Sequence, residues 1–582
     1  MKSSLLKKVI VLILILSGFL PLYSQELLDN QNASWSKVLP GTVVCQPVLT
    51  SYGFCLASDA KTVIALSSSG KLLWEKSFAK TKNVSLAALP SDFILFFDKD
   101  RSVMKLINPS GSIVWETSLP FNYTENSFLA GRDGRFFIKG NSCIICYAMN
   151  GLIRWKIENL KLKDLPPQEL PDGSLVLFTG EKEGKSCGLR ISPFGEILEE
   201  ITFSGEISNA WWCQDGVLLS FNDGSAGLFA LKEGLAENQW VFNKKVKGLS
   251  FAVNSKKDKV SALLPMENSL SVNILNAKNG KISKSFTVKD IKGQNLLFTS
   301  MNDSSILLAD DKNCMLFKSD GTPLRIMRFE NQKSKSAWNY LAYTPDNYLL
   351  LCRKNWSLDA FRLHSSQSNS ENSNLSKKLL TSYPDFIEVN TEKFNYYYGG
   401  FGNEMTDPAN QALLKDNNLG KKEIEITSNA LSTGYAYSSS LVTSDFGTRM
   451  ENSVFEEDSS GLEKILSQLP YLSSSDSAEC IASIIRRTSN PSIINALLKG
   501  VSECPYDPEG KILAALEQKA SKIDSKNVTN IESICDAVGG ICQFMGKPAY
   551  FSKGRNILKN FLSPNQDARS REHVRMVMES LL

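Results

Sequence analysis

Between Trp35 and His364 the chain alternates short apolar runs with polar turns, a texture that predicts β-strands rather than helices. The texture itself repeats. Its clearest copy runs from Ser91 to Leu119, SDFILFFDKDRSVMKLINPSGSIVWETSL: an acidic turn residue, an apolar strand, a polar turn, a second strand, a glycine turn and a strand bearing tryptophan. An Asp precedes the apolar run at Asp92, Asp133, Asp172, Asp215, Asp258, Asp303 and Asp346, in steps of 41, 39, 43, 43, 45 and 43 residues. An earlier copy opens at Tyr52-Gly53 before FCLAS without the Asp, which makes eight. Copies of this length with four short strands predict the blades of a β-propeller.

A second marker is a turn glycine followed four residues later by tryptophan: Gly70 to Trp74, Gly111 to Trp115, Gly151 to Trp155. Later copies keep the turn at Gly195, Gly234, Gly280 and Gly321, with the tryptophan lost or displaced to Trp240. Glycine supplies the positive φ of a tight hairpin, and a large aromatic opening the last strand can cover the apolar seam between neighbouring wedges. The eighth copy ends at SLDAFRL without its glycine turn or tryptophan strand, while NASWSKVLPG around Trp35 precedes the first full copy. An unclosed ring would expose a sheet edge to wrong pairing. The strand at Trp35 is therefore expected to complete the last blade.

From Gly461 the apolar period lengthens to that of a helix. Ile493, Ile494, Leu497, Leu498 and Val501 trace one face, as do Ile531, Ile534, Cys535, Val538, Ile541 and Cys542. Start signals stand at Asp476, Asn490-Pro491, Asp507-Pro508 and Asp567. Short helices in series predict a small α-helical stack, which looks like HEAT-type repeats. Between ring and helices, SSQSNSENSNLSKK has the composition of a solvated linker, followed by the Tyr/Gly-rich NYYYGGFG and TGYAYSSS. The expected organisation is an eight-bladed β-propeller over 25–366, a polar linker or insert over 367–460, and a C-terminal α-helical domain over 461–582.

Residues 1–24 carry Lys2, Lys7 and Lys8 ahead of VIVLILILSGFLPL, the layout of a secretory signal peptide cleaved after Ser24. An uncleaved anchor is the alternative; no other stretch is expected to span a membrane. The mature chain is thus expected in a periplasm or outside the cell. The formal charge of +4 over 582 residues does not point to nucleic acid. Twelve cysteines raise the question of disulfides, but Cys55, Cys187, Cys213 and Cys352 lie in or beside strand runs as small hydrophobes. Cys143 and Cys146 fall on opposite faces of a strand, and Cys535 and Cys542 sit roughly 10 Å apart along a helix. Few or no disulfides are expected.

The strings GKLLW, GSIVW and GLIRW on this period resemble the pyrroloquinoline-quinone-type repeat propellers, over about residues 34–364. That family includes quinone-dependent dehydrogenases and also cofactor-free scaffolds, such as the propeller subunit of the bacterial outer-membrane barrel-assembly machinery; by architecture the copies also resemble WD40-like repeats. The resemblance implies for an enzyme a calcium site of Glu, Asn and Asp, a catalytic Asp and usually adjacent cysteines under the quinone. No adjacent cysteine pair exists here, and the copies lack long insertions. The scaffold branch, without cofactor, fits better, and Trp74, Trp115 and Trp155 read as seam packing rather than a stacking surface for a quinone.

Other candidate motifs reduce to ordinary structure. Gly184-Lys185-Ser186-Cys187-Gly188 matches a nucleophile elbow, but is expected in a hairpin turn rather than a strand-to-helix turn, and the chain holds two histidines, His364 and His573. There is no HExxH, paired CxxC or EF-hand loop. Asp98-Lys99-Asp100 and Asp310-Asp311 read as turn formers. Lys244, Lys245, Lys247, Lys256, Lys257 and Lys259 read as solvated loops, since no aromatics interleave them. The sequence thus predicts no catalytic, cofactor-binding or metal residues. It predicts an exported, bacterial, non-catalytic scaffold for protein–protein interaction, with other envelope or secreted proteins as partners. The competing reading is a quinone-dependent or sugar-acting enzyme with its site in the propeller funnel.

Overall fold

The computed structural model describes residues 28–29 and, apart from a series of short stretches, residues 33–362 and 470–581. The segments read as signal peptide (1–24) and linker (367–460) lie outside the described residues. Eight four-stranded antiparallel units follow one another around a ring. Blade 1 consists of Val48–Thr50, Gly53–Ser58, Thr62–Ser67 and Leu72–Ser77, from the innermost strand outward. Blades 2 to 7 span 84–118, 128–157, 168–203, 207–242, 250–288 and 297–328. Blade 8 is built from Trp338–Tyr343, Tyr348–Arg353 and Ser357–Arg362, and Trp35–Val38 is its outermost strand. Trp35 pairs with Ala360 and Val38 with Ser357, so the front of the chain closes the ring as expected.

Burial follows from the radial layout. The second and third strands of a blade are covered on both faces by neighbouring blades, so they read as continuous apolar runs; Gly53–Ser58 is buried at every position. The outermost strands splay apart and are mostly exposed, as in Leu72–Ser77. A one-residue shift of register recurs in the outermost strand of blades 1 to 7. In blade 1, Ala65 faces Trp74 and Leu66 faces Leu72, leaving Leu73 as the bulged residue. Such a bulge bends the strand and re-aims the side chain beyond it.

Among the described residues six α-helices form the C-terminal domain: α1 (Ser475–Arg487), α2 (Pro491–Glu503), α3 (Lys511–Ala520), α4 (Val528–Met545), α5 (Pro548–Lys559) and α6 (Ala568–Glu579). Each helix packs on the next but one: α1 on α3, α2 on α4, α3 on α5, α4 on α6. Ile494, Leu497, Leu498 and Val501 are buried, and so is the whole face traced from Ile531 to Cys542. Burial pushes the Cys542 thiol up to about 12 and raises that of Cys535. No helix among the described residues is long and apolar enough to cross a membrane.

The structure differs from the sequence reading at several points. Asp476 lies inside α1, which begins at Ser475. Asp507 does not immediately precede its helix, because Gly510 takes the cap position at φ 71°; the Asp507 carboxylate instead reaches forward to accept from the Leu513 N–H at 2.8 Å. Asp567 caps α6 directly, accepting from the N–H groups of Arg569 and Ser570. Lys185 to Gly188 lie in a strand, Lys185–Ile191, and not in a turn. There Ser186 is buried, and its hydroxyl accepts from the Ile207 N–H at 3.0 Å and from Lys163 at 3.2 Å, a structural tie between blades 4 and 5. Lys257 is buried rather than solvated, in a turn with φ 57°.

Candidate functional site

Among the described residues, the turn glycines Gly70, Gly111, Gly151, Gly195, Gly280 and Gly321 each touch an aromatic of the preceding blade. Gly70, Gly111, Gly151 and Gly195 have φ between 80° and 87°, and a Cβ built on them would lie 2.7–3.0 Å from the indoles of Trp35, Trp74, Trp115 and Trp155 respectively. No heavier residue fits such a contact without displacement. The indole N–H completes the seam by donating to a carbonyl of the next blade: Trp35 to Ser68 at 3.0 Å, Trp74 to Pro109 at 3.0 Å, Trp115 to Met149 at 2.9 Å. Trp240 does the same to Ala277 at 2.8 Å, against Gly280. The bulge register explains its displacement, since Trp240 faces Leu228 as Trp74 faces Ala65. Phe286 packs on Gly321 and lies outside the glycine-plus-four spacing that marks the tryptophans. It stands two residues beyond Lys284, on the same face of its strand, so a search at glycine-plus-six would have found it. In blade 4 the aromatic's place is taken by Glu199, paired with Arg190, and here the outermost strands of blades 4 and 5 meet through a parallel pair, Thr202 with Leu235.

Buried charges supplement the seams. Under the closing strand, Asp359 accepts from the Ser36 hydroxyl at 2.7 Å and from Arg353 Nε at 2.6 Å. Between blades 3 and 4, Arg135 pairs with Glu169 at 2.8 Å, and Lys139 Nζ donates to the carbonyls of Lys163 and Leu165. Burial lowers the Lys139 pKa to about 8.

Of the Asp markers, Asp92 sits in the turn between the first two strands of blade 2 at φ 69° and accepts from the Ser51 N–H and hydroxyl of blade 1. Asp258 accepts from Asn254 Nδ2 at 2.7 Å within its own turn. Asp133, Asp172, Asp215, Asp303 and Asp346 lie outside the described residues. So do Asp310-Asp311, whereas Asp98 and Asp100 accept from the backbone N–H groups of Arg101 and Asn83, as turn formers do.

Blade 2 is where the ring meets the helices. Its first-to-second-strand turn and its third-to-fourth-strand turn lie at the same end of the blade, and both touch the helical domain. Ser91 lies 3.1 Å from the Tyr506 hydroxyl, and the Phe93 ring stacks obliquely on Tyr506 and on Phe544, with centroids 6.4 and 5.2 Å away. Asn108 Nδ2 donates to the Gln543 carbonyl at 3.0 Å, while its Oδ1 accepts from Ser110 and Ser112. Gly546 ends α4 at φ 62°, and a Cβ there would lie 2.3 Å from Asn108 Nδ2. Leu89 and Phe93 of the ring and Tyr506, Phe544 and Met545 of the C-terminal domain belong to one continuous apolar core.

The loop carrying Tyr506 is held from behind. The Asp507 carboxylate accepts backbone N–H groups at the start of α3, and the Tyr550 hydroxyl donates to the Asp507 carbonyl at 2.7 Å. Burial raises the Asp507 carboxyl, opposed by those backbone donors.

The outer rim has a different character. Leu72 and Leu73, Ile113, Leu152 and Ile153, and Ile197 and Leu198 are 39–55% exposed just after the turn glycines of four consecutive blades, 1 to 4, and Ile282 of blade 6 is exposed in the same place. Because Trp74 abuts Gly111, Trp115 abuts Gly151 and Trp155 abuts Gly195, these aliphatic groups follow from blade to blade along one arc. Among the described residues no three His, Cys, Asp or Glu side chains are grouped to hold a metal ion.

No family model matches the chain, and no curated protein matches it. Similar solved structures include BamB from Moraxella catarrhalis, 13% identical over 57% of this chain and 99% of that one, with a TM-score of 0.42. The Dos1 propeller is 11% identical over 58% of this chain and 96% of that one, and Saccharomyces cerevisiae Sqt1 is 10% identical over 57% and 99%, both again with a TM-score of 0.42. Likenesses at this level carry nothing about activity or partners.

Proposed function

We propose that this chain is an exported, non-catalytic binding or scaffold protein whose ring and helical domain together present a surface to other envelope or secreted proteins. The observation that carries the reading is the arc of half-exposed aliphatic side chains on blades 1 to 4. Apolar area left in water forgoes about 25 cal/mol per Å² of stabilisation, and contiguous exposed patches mark interaction sites more often than isolated ones. The helical domain is fastened at blade 2, within that arc, so a partner lying along the rim can touch both modules. Export rests on the layout of residues 1–24, and the envelope role on the resemblance of the repeats.

The test uses the full chain in the cells that produce it. A photo-crosslinking side chain placed at Leu152 or Leu198 is expected to trap defined envelope or secreted proteins, and the same group at Asp320, in the glycine turn of blade 7, is not. The mature protein should begin at Gln25. Absence of adducts from the arc would overturn the binding role, and calcium-dependent dye reduction with a quinone absorption band would replace it with the enzyme reading.

A further inference from the structure

The outer edges of blades 1 to 3 carry the inference furthest. In blade 3 the strand Ile153–Ile157 is hydrogen-bonded on one side to Ile144–Tyr147, and no described strand lies on its other side. The same holds for the outermost strands of blades 1 and 2. A strand edge of this kind is a template for a further strand, with backbone groups supplying affinity and flanking side chains supplying selectivity.

The chain already uses its edges in this way. At blade 7 the two-residue strand Leu28–Asp29 adds in parallel to Pro323–Arg328, pairing Leu28 with Ile326 and Asp29 with Met327. Blades 4 and 5 also meet in parallel at their outermost strands. What distinguishes the seam between blades 3 and 4 is the side chains around it. Leu152 and Ile153 come from one blade and Ile197 and Leu198 from the next, and the contact of Trp155 with Gly195 brings the two pairs to one seam. Farther along the blade 3 strand the surface turns polar, with Lys156 and Glu158 paired at 2.5 Å.

We propose that the outer edge of blade 3, flanked by the aliphatic seam with blade 4, takes up an extended segment of a partner protein as an added, parallel β-strand. The segment would place aliphatic residues against Leu152, Ile153, Ile197 and Leu198, and polar ones beyond. This rests on the binding role proposed above and specifies its mode.

The test is hydrogen exchange on the full chain, with a synthetic peptide of alternating valine and threonine, closed by a lysine at each end, as the probe. Exchange of the 152–158 amides should slow several-fold when the probe is added. The paired substitution Leu152→Lys with Leu198→Lys should abolish the slowing while leaving the unfolding midpoint unchanged, because both side chains are half in water. The inference is overturned by any of four results: no slowing at this edge, slowing that survives the paired substitution, a concentration-dependent dimer that protects the same amides without the probe, or protection produced by lipid vesicles. Crosslinked partners whose capture is indifferent to the paired substitution would leave the scaffold role standing and remove strand addition alone.

Discussion

Replacing Gly546 by alanine should detach the helical domain from the ring without unfolding either. Two costs act together. An alanine held at φ 62° costs about 1–2 kcal/mol in the left-handed region. Its Cβ would also sit 2.3 Å from Asn108 Nδ2 and 2.5 Å from Cγ, so the Asn108 side chain must turn away. Turning it breaks the bond to Gln543 and three local bonds from Ser110 and Ser112, each worth about 0.5–1.5 kcal/mol. Together these amount to roughly 3–8 kcal/mol if the interface stays shut, a cost set against the apolar packing of Leu89 and Phe93 on Tyr506, Phe544 and Met545. Undocking caps the loss. Hydrogen exchange should therefore quicken in peptides covering 88–94, 504–508 and 543–547, while the strands of blades 5 to 7 keep their protection. Asn108→Ala should relieve the clash, so the double variant should be milder than the sum of its parts by about 1–3 kcal/mol. Unchanged exchange at all three places in Gly546→Ala would refute the argument.

Ring closure offers a second check: Asp359→Ala leaves Arg353 buried without its counter-charge and the Ser36 hydroxyl without its acceptor, at a cost of roughly 3–5 kcal/mol, read as a lowered thermal midpoint with faster exchange at Trp35–Val38. At the seam between blades 1 and 2, Trp74→Ala should cost roughly 3–5 kcal/mol by denaturant titration. Gly111→Ala should add less to that variant than it costs by itself, since the missing indole vacates the space a Cβ needs. Lys139 gives a pH test. With its pKa lowered from 10.5 to about 8, the unfolded chain holds a proton between those values that the folded chain has released. The group therefore opposes folding most below pH 8 and the penalty fades as pH rises towards 10.5. Lys139→Met should flatten that part of the stability profile relative to the parent chain.

Much of the ring was legible because its signals are local and repeated. The spacing of Gly111 to Trp115 and of its companions reports a turn and a bulge, both set within a few residues, and three full copies with four further turn glycines raise them above chance. The same locality explains the misses. Phe286 does the work of a seam tryptophan from a position two residues farther on, which a fixed spacing overlooks. Asp507 looks like an ordinary helix cap in sequence, yet its carboxylate reaches forward to Leu513 because Gly510 takes the turn. The string around Ser186 looked like a turn because its glycines and serine are turn residues by composition, whereas pairing with Phe203 across the blade holds it as strand.

The order of apolar and polar positions, with the glycines that only a left-handed turn accommodates, was enough to dictate eight wedges, a closing strand at Trp35 and a helical tail. These depend on interactions between residues close in the chain or in adjacent repeats. Where the tail sits was settled elsewhere. Asn108 and Gly546, or Phe93 and Phe544, are separated by hundreds of residues and carry no mark that pairs them, and their contact exists because two surfaces made by folding fit. The exposed arc is of the same kind: Leu152 and Ile197 look like core residues in the sequence, and the outward splay of the blades is what leaves them in water.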